Sequence, residues 1–270
     1  MGLLIHRLIT ILNTEDPDST NYHIALTLVL HYTKISRSSI KEIADLCSVS
    51  KSTISKFART IGFDDYYHLK ESAPFIENRF HFNFNYLTNI LGTIDSEGLA
   101  PYFDAITKDI NYFKENLDLE TIDQLAKDLV SYDQVYAFGL LFSETAAVDL
   151  QYKLAYLQKF IVTRQEDTEQ ERIIETARDD KLIIIFSNSG EYVKKHQLKQ
   201  LSPRQKIFEK SNAKIVLITS NPEMLENENI DYCILFHHET NMQTHHFMYQ
   251  IITDMIALRY RYFSTKQIKE

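Results

Sequence analysis

Two short stretches combine residue types that can do chemistry with a setting that exposes them. The first is KLIIIFSNSGEY, 181–192, where five apolar residues run into Ser187, Asn188, Ser189 and Gly190. The second is GLLFSET, 139–145, with Ser143 next to the start of a helical pattern. Each reads as the carboxyl end of a buried strand turning into a helix. Hydroxyls, free N–H groups and the positive end of a helix dipole then converge, which suits an anion such as a phosphate ester. The same residues also fit a strand-to-helix turn with N-capping serines. The spacing leaves both readings open.

Catalysis has thinner support. A sugar isomerase needs a base and an acid placed over its substrate. Glu144, Glu166, Glu191, His196 and the pairs His237–His238 and His245–His246 are the available groups. None stands in a spacing that singles it out, so no catalytic residue is assigned. The paired histidines are read as solvated strand-end and helix-start positions. No metal and no other cofactor is expected.

A third stretch is SIKEIADLCSVSKSTISKFARTIGF, 39–63. Ser39 followed by Glu42 is a capping box opening one helix. A turn of about three residues, Cys47 to Val49, leads to a second helix with Ser50 as its N-cap. Ile54, Phe57, Ala58 and Ile61 fall on one face of that helix, which must be buried. The other side carries Lys51, Ser52, Thr53, Ser55, Lys56 and Arg59, with no acid between Ser50 and Ile61. This is the requirement for a recognition helix: an apolar side against its partner helix, a polar cationic side for phosphates and base edges. Residues 34–70 hold seven Lys or Arg against four Asp or Glu, so this region is cationic inside a chain of net charge −8. An acidic chain needs such a local patch to meet nucleic acid at all. The competing reading is an amphipathic helix pair with a solvated charged face.

The surrounding elements follow from hydrophobic period. Residues 1 to about 75 read as helices only, with Leu4, Leu8, Ile11 and Leu12 and then Ala25, Leu28, Val29 and Tyr32 as buried stripes. The aromatic, Asn-rich stretch from about 76 to 100 reads as a connector. Beyond Pro101, helices alternate with strands at 134–140, 160–164, 181–187, 214–220 and 231–236. That alternation means βαβ crossovers. The expected fold is an all-α helix-turn-helix domain over 1–76, a connector over 77–106, and an α/β domain over 107–264 with a five-stranded parallel sheet flanked by helices. A long helical region over 191–212 should break at Pro203. Two cysteines far apart in sequence, Cys47 and Cys233, suggest a reducing compartment. No apolar run approaches the roughly 20 residues of a membrane span, and MGLLIHRLITIL reads as a core helix and not as a signal peptide. The expected location is cytoplasmic, with no membrane partner.

With these residues in view, the chain resembles the RpiR-type transcription regulators, which join an N-terminal helix-turn-helix domain to a SIS (sugar isomerase) domain. Its SIKEIADLCSVSKSTISKFARTIGF…YYHLK is similar to the family's S-I-x-E-(I/L)-A, V-S-x-S-T-I-x-(R/K)-F, G-(F/Y) and L-K runs. Gly139, Ser143, Asp149, Lys153, the SNSG turn and LIT resemble the SIS pattern, so the resemblance spans roughly 1–262. It implies a homodimer or homotetramer that binds double-stranded operator DNA, palindromic for a two-fold protein, and senses a phosphosugar-like small molecule. It also implies that the effector's phosphate lies on the loops matching Ser143 and Ser187–Gly190. Three positions depart from the pattern: Leu141 replaces a glycine, Tyr192 a threonine, and Lys56 an arginine. A phosphosugar isomerase with an accessory helical domain, and a DNA-binding dimer with a vestigial pocket, stay open beside the sensing regulator.

Overall fold

The computed structural model describes residues 3–73, 86–194 and 205–267. They fall into two compact units, the first holding residues 3–73 with 166–168 and the second the remainder.

The first unit is helical: α1 (Leu3–Thr14), α2 (Thr20–Leu30), α3 (Tyr32–Ile35), α4 (Ile40–Leu46), α5 (Lys51–Thr60) and α6 (Tyr66–Glu71). Side-chain caps set four of the starts. Ser19, Ser39, Ser50 and Asp65 each accept from the backbone N–H three residues on, satisfying one of the orphan donors of a first turn. The capping box is complete, with Ser39 N donating to Glu42 Oε2 at 2.7 Å and Glu42 N to Ser39 Oγ at 3.3 Å. Leu4, Leu8, Ile24, Leu28, Ile43, Ile54, Phe57 and Phe63 make the core. Each such side chain gains about 1.5–3 kcal/mol by leaving water.

The second unit begins with a π-helical turn (Tyr86–Leu91) that runs into α7 (Gly92–Glu97). Its helices α8 (Ala100–Glu115) and α9 (Leu119–Ser131) precede the sheet. Then come β1 (Gln134–Phe138), α10 (Phe142–Tyr156), α11 (Asp167–Thr176), β2 (Lys181–Phe186), α12 (Glu191–Lys194), α13 (Gln205–Lys210), β3 (Lys214–Thr219), a 3-10 turn (Pro222–Glu226), β4 (Tyr232–Leu235) and α14 (His245–Gln267). The four strands are all parallel, in the order β1-β2-β3-β4, with Val135 beside Leu182, Ile184 beside Val216 and Ile218 beside Ile234. Continuous apolar runs fit strands covered on both faces. Cys47 lies in the first core and Cys233 in β4; both are free, buried thiols that burial pushes up to about 11.

One expectation needs correction. FIVTR is not a full strand: Val162 alone pairs with Tyr136, through Ala137 N to Val162 O and Val162 N to Val135 O, both 2.9 Å. Phe160 and Arg164 are exposed and Thr163 is half-buried, which leaves the segment too little to bury as a longer strand. The connector is helical from Tyr86 on, because Ile90 packs with Ala105 and Met242; its residues 77–85 lie outside the described residues. Within 191–212 the described helices are α12 and α13 only, and Pro203 lies outside the described residues.

The Val162 bridge matters for the site. Counting it as an edge, the chain runs outward from β1 to Val162 and then back across β1 to β2, so the winding reverses between β1 and β2. In an open α/β sheet, the crevice beyond the strand ends at such a reversal is where ligands bind. The loops there are 139–143 and 187–190.

Candidate functional site

In the first unit, α4 closes with Cys47 as C-cap and Ser48 in the left-handed region at φ 54°. Val49 N donates to Ala44 O at 2.9 Å and Ser48 N to Asp45 O at 3.1 Å. These are the two bonds of a Schellman motif, with serine where glycine is usual. The turn delivers the chain to Ser50, whose Oγ accepts from Thr53 N at 3.1 Å and lies 2.7 Å from Ser52 Oγ and 2.8 Å from Thr53 Oγ1. Three hydroxyls therefore cluster at the first turn of α5. Ile54, Phe57 and Ala58 are buried. Lys51, Ser52, Lys56 and Arg59 are exposed, and Thr53 and Ser55 are half-buried beside them. Lys51, Lys56 and Arg59 have no ion-pair partner among the described residues. All six residues expected at a nucleic-acid interface thus share one helix, with the cations turned to solvent.

In the second unit, Gly139 ends β1 where nothing larger fits: a Cβ there would stand 2.5 Å from Ser143 O. Ser143 N donates to Leu140 O at 3.1 Å, closing a tight turn with Leu141 at φ 57° and ψ −123°. That conformation belongs to glycine. Leu141 holds that conformation at a strain of about 1–3 kcal/mol. Ser143 is buried, its Oγ 3.4 Å from Tyr249 Oη. Lys153, which matched the SIS pattern, bonds Asp149 and Asp254 at 2.7 Å and Thr253 Oγ1 at 3.0 Å, fixing α10 to α14. Burial lowers its ammonium pKa, but the bonds from Asp149 and Asp254 outweigh that and hold it above the usual range.

The second loop is built largely from its own polar groups. Ser187 Oγ accepts from Tyr192 N at 3.2 Å, and Ser187 O accepts from Gly190 N at 3.1 Å. Asn188 Nδ2 donates to Gln243 Oε1 at 2.7 Å, while Oδ1 accepts from Ser220 Oγ at 2.8 Å and lies 3.0 Å from His238 Nε2. Ser189 is half-exposed, its carbonyl accepting from Asn221 Nδ2 at 3.0 Å. Gly190 has φ 75°, and a Cβ on it would meet Met224 Cγ at 2.5 Å. The fold brings Ser143 and 187–190 to the same end of the sheet, and Ser187 and Asn188 serve inside it.

Tyr192 does not sit on the loop surface. It is buried, with its hydroxyl donating to Gln170 Oε1 at 2.6 Å and its ring edge-on to Phe208. Gln170 in turn donates to Gly139 O at 3.1 Å. Tyr192 therefore fastens the second loop to the first from within.

The dispersed acids and bases take separate places. Burial pushes the half-buried Glu144 carboxyl up to about 7. Burial, helped by the charges of His246 and His238, pushes His245 down to about 3. His237 is exposed and meets Glu239 at 3.2 Å. His196 lies outside the described residues, Glu166 is exposed, and Glu191 starts α12. Sequence reasoning missed Asp109, which is fully buried and accepts from Thr244 Oγ1 and Glu239 N and meets His238 Nδ1, each at 2.8 Å. Its place inside α8 carried no signal apart from its falling four residues before Phe113 on the buried stripe.

Comparison with known proteins bears on the first unit most directly. Two solved structures similar to the chain are the Vibrio vulnificus NanR protein complexed with ManNAc-6P and the sugar isomerase domain of an RpiR transcription factor from Sphaerobacter thermophilus. The first is 11% identical, with TM-score 0.47 and coverage of 98% of this chain and 96% of that one. The second is 14% identical, with TM-score 0.48 and coverage of 62% and 93%. No curated protein sequence is similar enough to this chain to count as a relative. The family model "Helix-turn-helix domain, rpiR family" matches residues 13–72, the span that holds α2 to α6 and the cationic face of α5. Residues 13–72 are a helix-turn-helix domain of the rpiR family.

Proposed function

We propose that this protein is a DNA-binding transcription regulator of the RpiR type whose second unit senses a phosphosugar-like effector. The observation that carries this reading is α5: a capped helix with Lys51, Lys56 and Arg59 facing solvent beside a cluster of hydroxyls, and an apolar face held in the core. Lys51, Ser52, Thr53, Ser55, Lys56 and Arg59 meet the duplex, the N-terminal residues deepest in the major groove. Two copies present two such helices to a palindromic operator. The outward face of α10 supports self-association, since Tyr152, Tyr156 and nearby Phe160 are 64%, 89% and 68% exposed; a homodimer or homotetramer would cover them. The domains run 1–76, 77–106 and 107–264. The protein works in the cytoplasm, where its operator is.

Ser143 and Ser187–Gly190 make the effector site, supported by their place at the winding reversal. The effector biases the operator-binding arrangement only if it binds one arrangement better than the other. In this reading the chain acts as a regulator and not as an isomerase.

The test is binding of a labelled duplex from the gene's own upstream region by fluorescence anisotropy, with and without ManNAc-6P as first compound. Saturable, salt-dependent binding that shifts with the sugar phosphate supports the reading. Indifference to the duplex at low ionic strength overturns the regulator. Duplex binding that no sugar phosphate shifts, with no melting-temperature rise abolished by Ser189→Ala, leaves the second unit as a scaffold.

A further inference from the structure

Asn188 stands out in the second loop because its side chain is spoken for on every side. Oδ1 faces two donors, Ser220 Oγ and His238 Nε2, and Nδ2 faces Gln243 Oε1. Its carbonyl accepts from Ser220 N and Thr219 Oγ1, each at 2.9 Å, and shares the single Ser220 Oγ proton with Oδ1, at 2.9 and 2.8 Å. His238 is held between two side chains, with Nδ1 2.8 Å from Asp109 Oδ2 and Nε2 3.0 Å from Asn188 Oδ1. A buried polar network with every member satisfied is stiff, because moving one member strands the others.

The network continues beyond the loop. Gln243, which accepts from Asn188, donates its backbone N–H to Asn89 Oδ1 at 2.9 Å. Asn89 Nδ2 donates to Asn241 O at 2.7 Å. One asparagine thus grips two backbone groups of the 241–243 loop. Asn89 lies in the π-helical turn Tyr86–Leu91, the first described segment after the helix-turn-helix unit in sequence. π-Helical turns are rare and gather at functional sites.

We infer that Asn188, Gln243 and Asn89 form a relay that couples the effector loop to the segment Tyr86–Leu91, with His238 and Asp109 as positioning residues that hold Asn188. This rests on the proposed effector role of 187–190. An anion that displaces Asn188 breaks its bond to Gln243, and Gln243 carries that change to Asn89. Without the relay the loop would be free to adapt to its ligand alone.

The test is hydrogen exchange by mass spectrometry on the full chain, with no ligand present. Asn188→Ala is expected to speed exchange in 86–97, and Asn89→Ala in 187–194, each by roughly three- to tenfold, the range set by losing one or two hydrogen bonds. Ser189→Ala, which removes a neighbouring hydroxyl outside the network, should leave 86–97 unchanged. Should Asn89→Ala fail to fold, Asn89→Asp keeps the acceptor for Gln243 N and removes the donor to Asn241 O. Exchange that rises only around each substituted residue, with the distant segment at its wild-type rate, overturns the relay. Because no effector enters the measurement, that result leaves the sugar-phosphate reading standing, and a failed sugar-phosphate titration leaves the relay standing.

Discussion

The hydroxyl of Tyr192 donates to Gln170 Oε1 at 2.6 Å, and Gln170 donates to the carbonyl of Gly139. Tyr192 is thus an internal brace between two loops. Tyr192→Phe leaves the buried Gln170 oxygen without that donor and should cost about 1–3 kcal/mol. Tyr192→Thr restores the family's residue but opens a cavity, and should cost about 3–5 kcal/mol, the range for truncating a buried aromatic. Urea unfolding midpoints of the two variants give the order directly. A Thr variant as stable as wild type would remove the brace.

Leu141 makes the opposite prediction. Its φ of 57° in a turn closed by Ser143 N is strained for any side chain. Leu141→Gly relieves about 1–3 kcal/mol of strain and returns roughly 0.5–1 kcal/mol through glycine's greater freedom when unfolded. A net stabilisation of about 1 kcal/mol is expected, visible as a higher urea midpoint at unchanged slope.

Glu144 sets a pH dependence. Burial raises its carboxyl from 4.5 to about 7, so between those values the folded chain binds the proton that the unfolded chain has lost. Stability therefore falls as pH rises from about 4.5 to about 7, and the loss persists above it. Glu144→Gln should raise the melting temperature more at pH 8 than at pH 5. An equal shift at both values would show that the carboxyl does not carry the effect.

At the DNA face, Lys56→Ala should weaken operator binding and reduce the slope of log K against log salt by about 0.9, the share of one phosphate contact. Lys56→Arg, the family's residue, should bind more tightly through the bidentate fork of guanidinium. An unchanged slope in the alanine variant would take Lys56 off the phosphate backbone.

Local signals were legible in the sequence and distant ones were not. The capping box at Ser39, the cap at Ser50 and the stripe Ile54–Phe57–Ala58–Ile61 depend on residues three or four apart, and all are present. The four strand cores show as apolar runs for the same reason. The pattern at FIVTR did not reveal that only Val162 finds a partner, because that depends on what the sheet leaves to pair with. Ser143 and 187–190 stood out by type and position, and the fold brings them to one end of the sheet, but their internal bonds were not legible. Asn188 meets His238 across fifty residues and Gln243 across fifty-five. Spacing within a window carries no trace of such pairs. Leu141 and Ser48 show the same limit for backbone: nothing in a leucine or a serine announces a left-handed φ.

Cys47 and Cys233 are buried, with thiols pushed up to about 11. Nucleophilic attack by cysteine runs through the thiolate, so at neutral pH neither side chain competes for a maleimide reagent. The natural chain is thus a silent background for labelling. A cysteine introduced at position 59, on the outer face of α5, would carry a fluorophore at one defined place without first stripping out the native sulfurs.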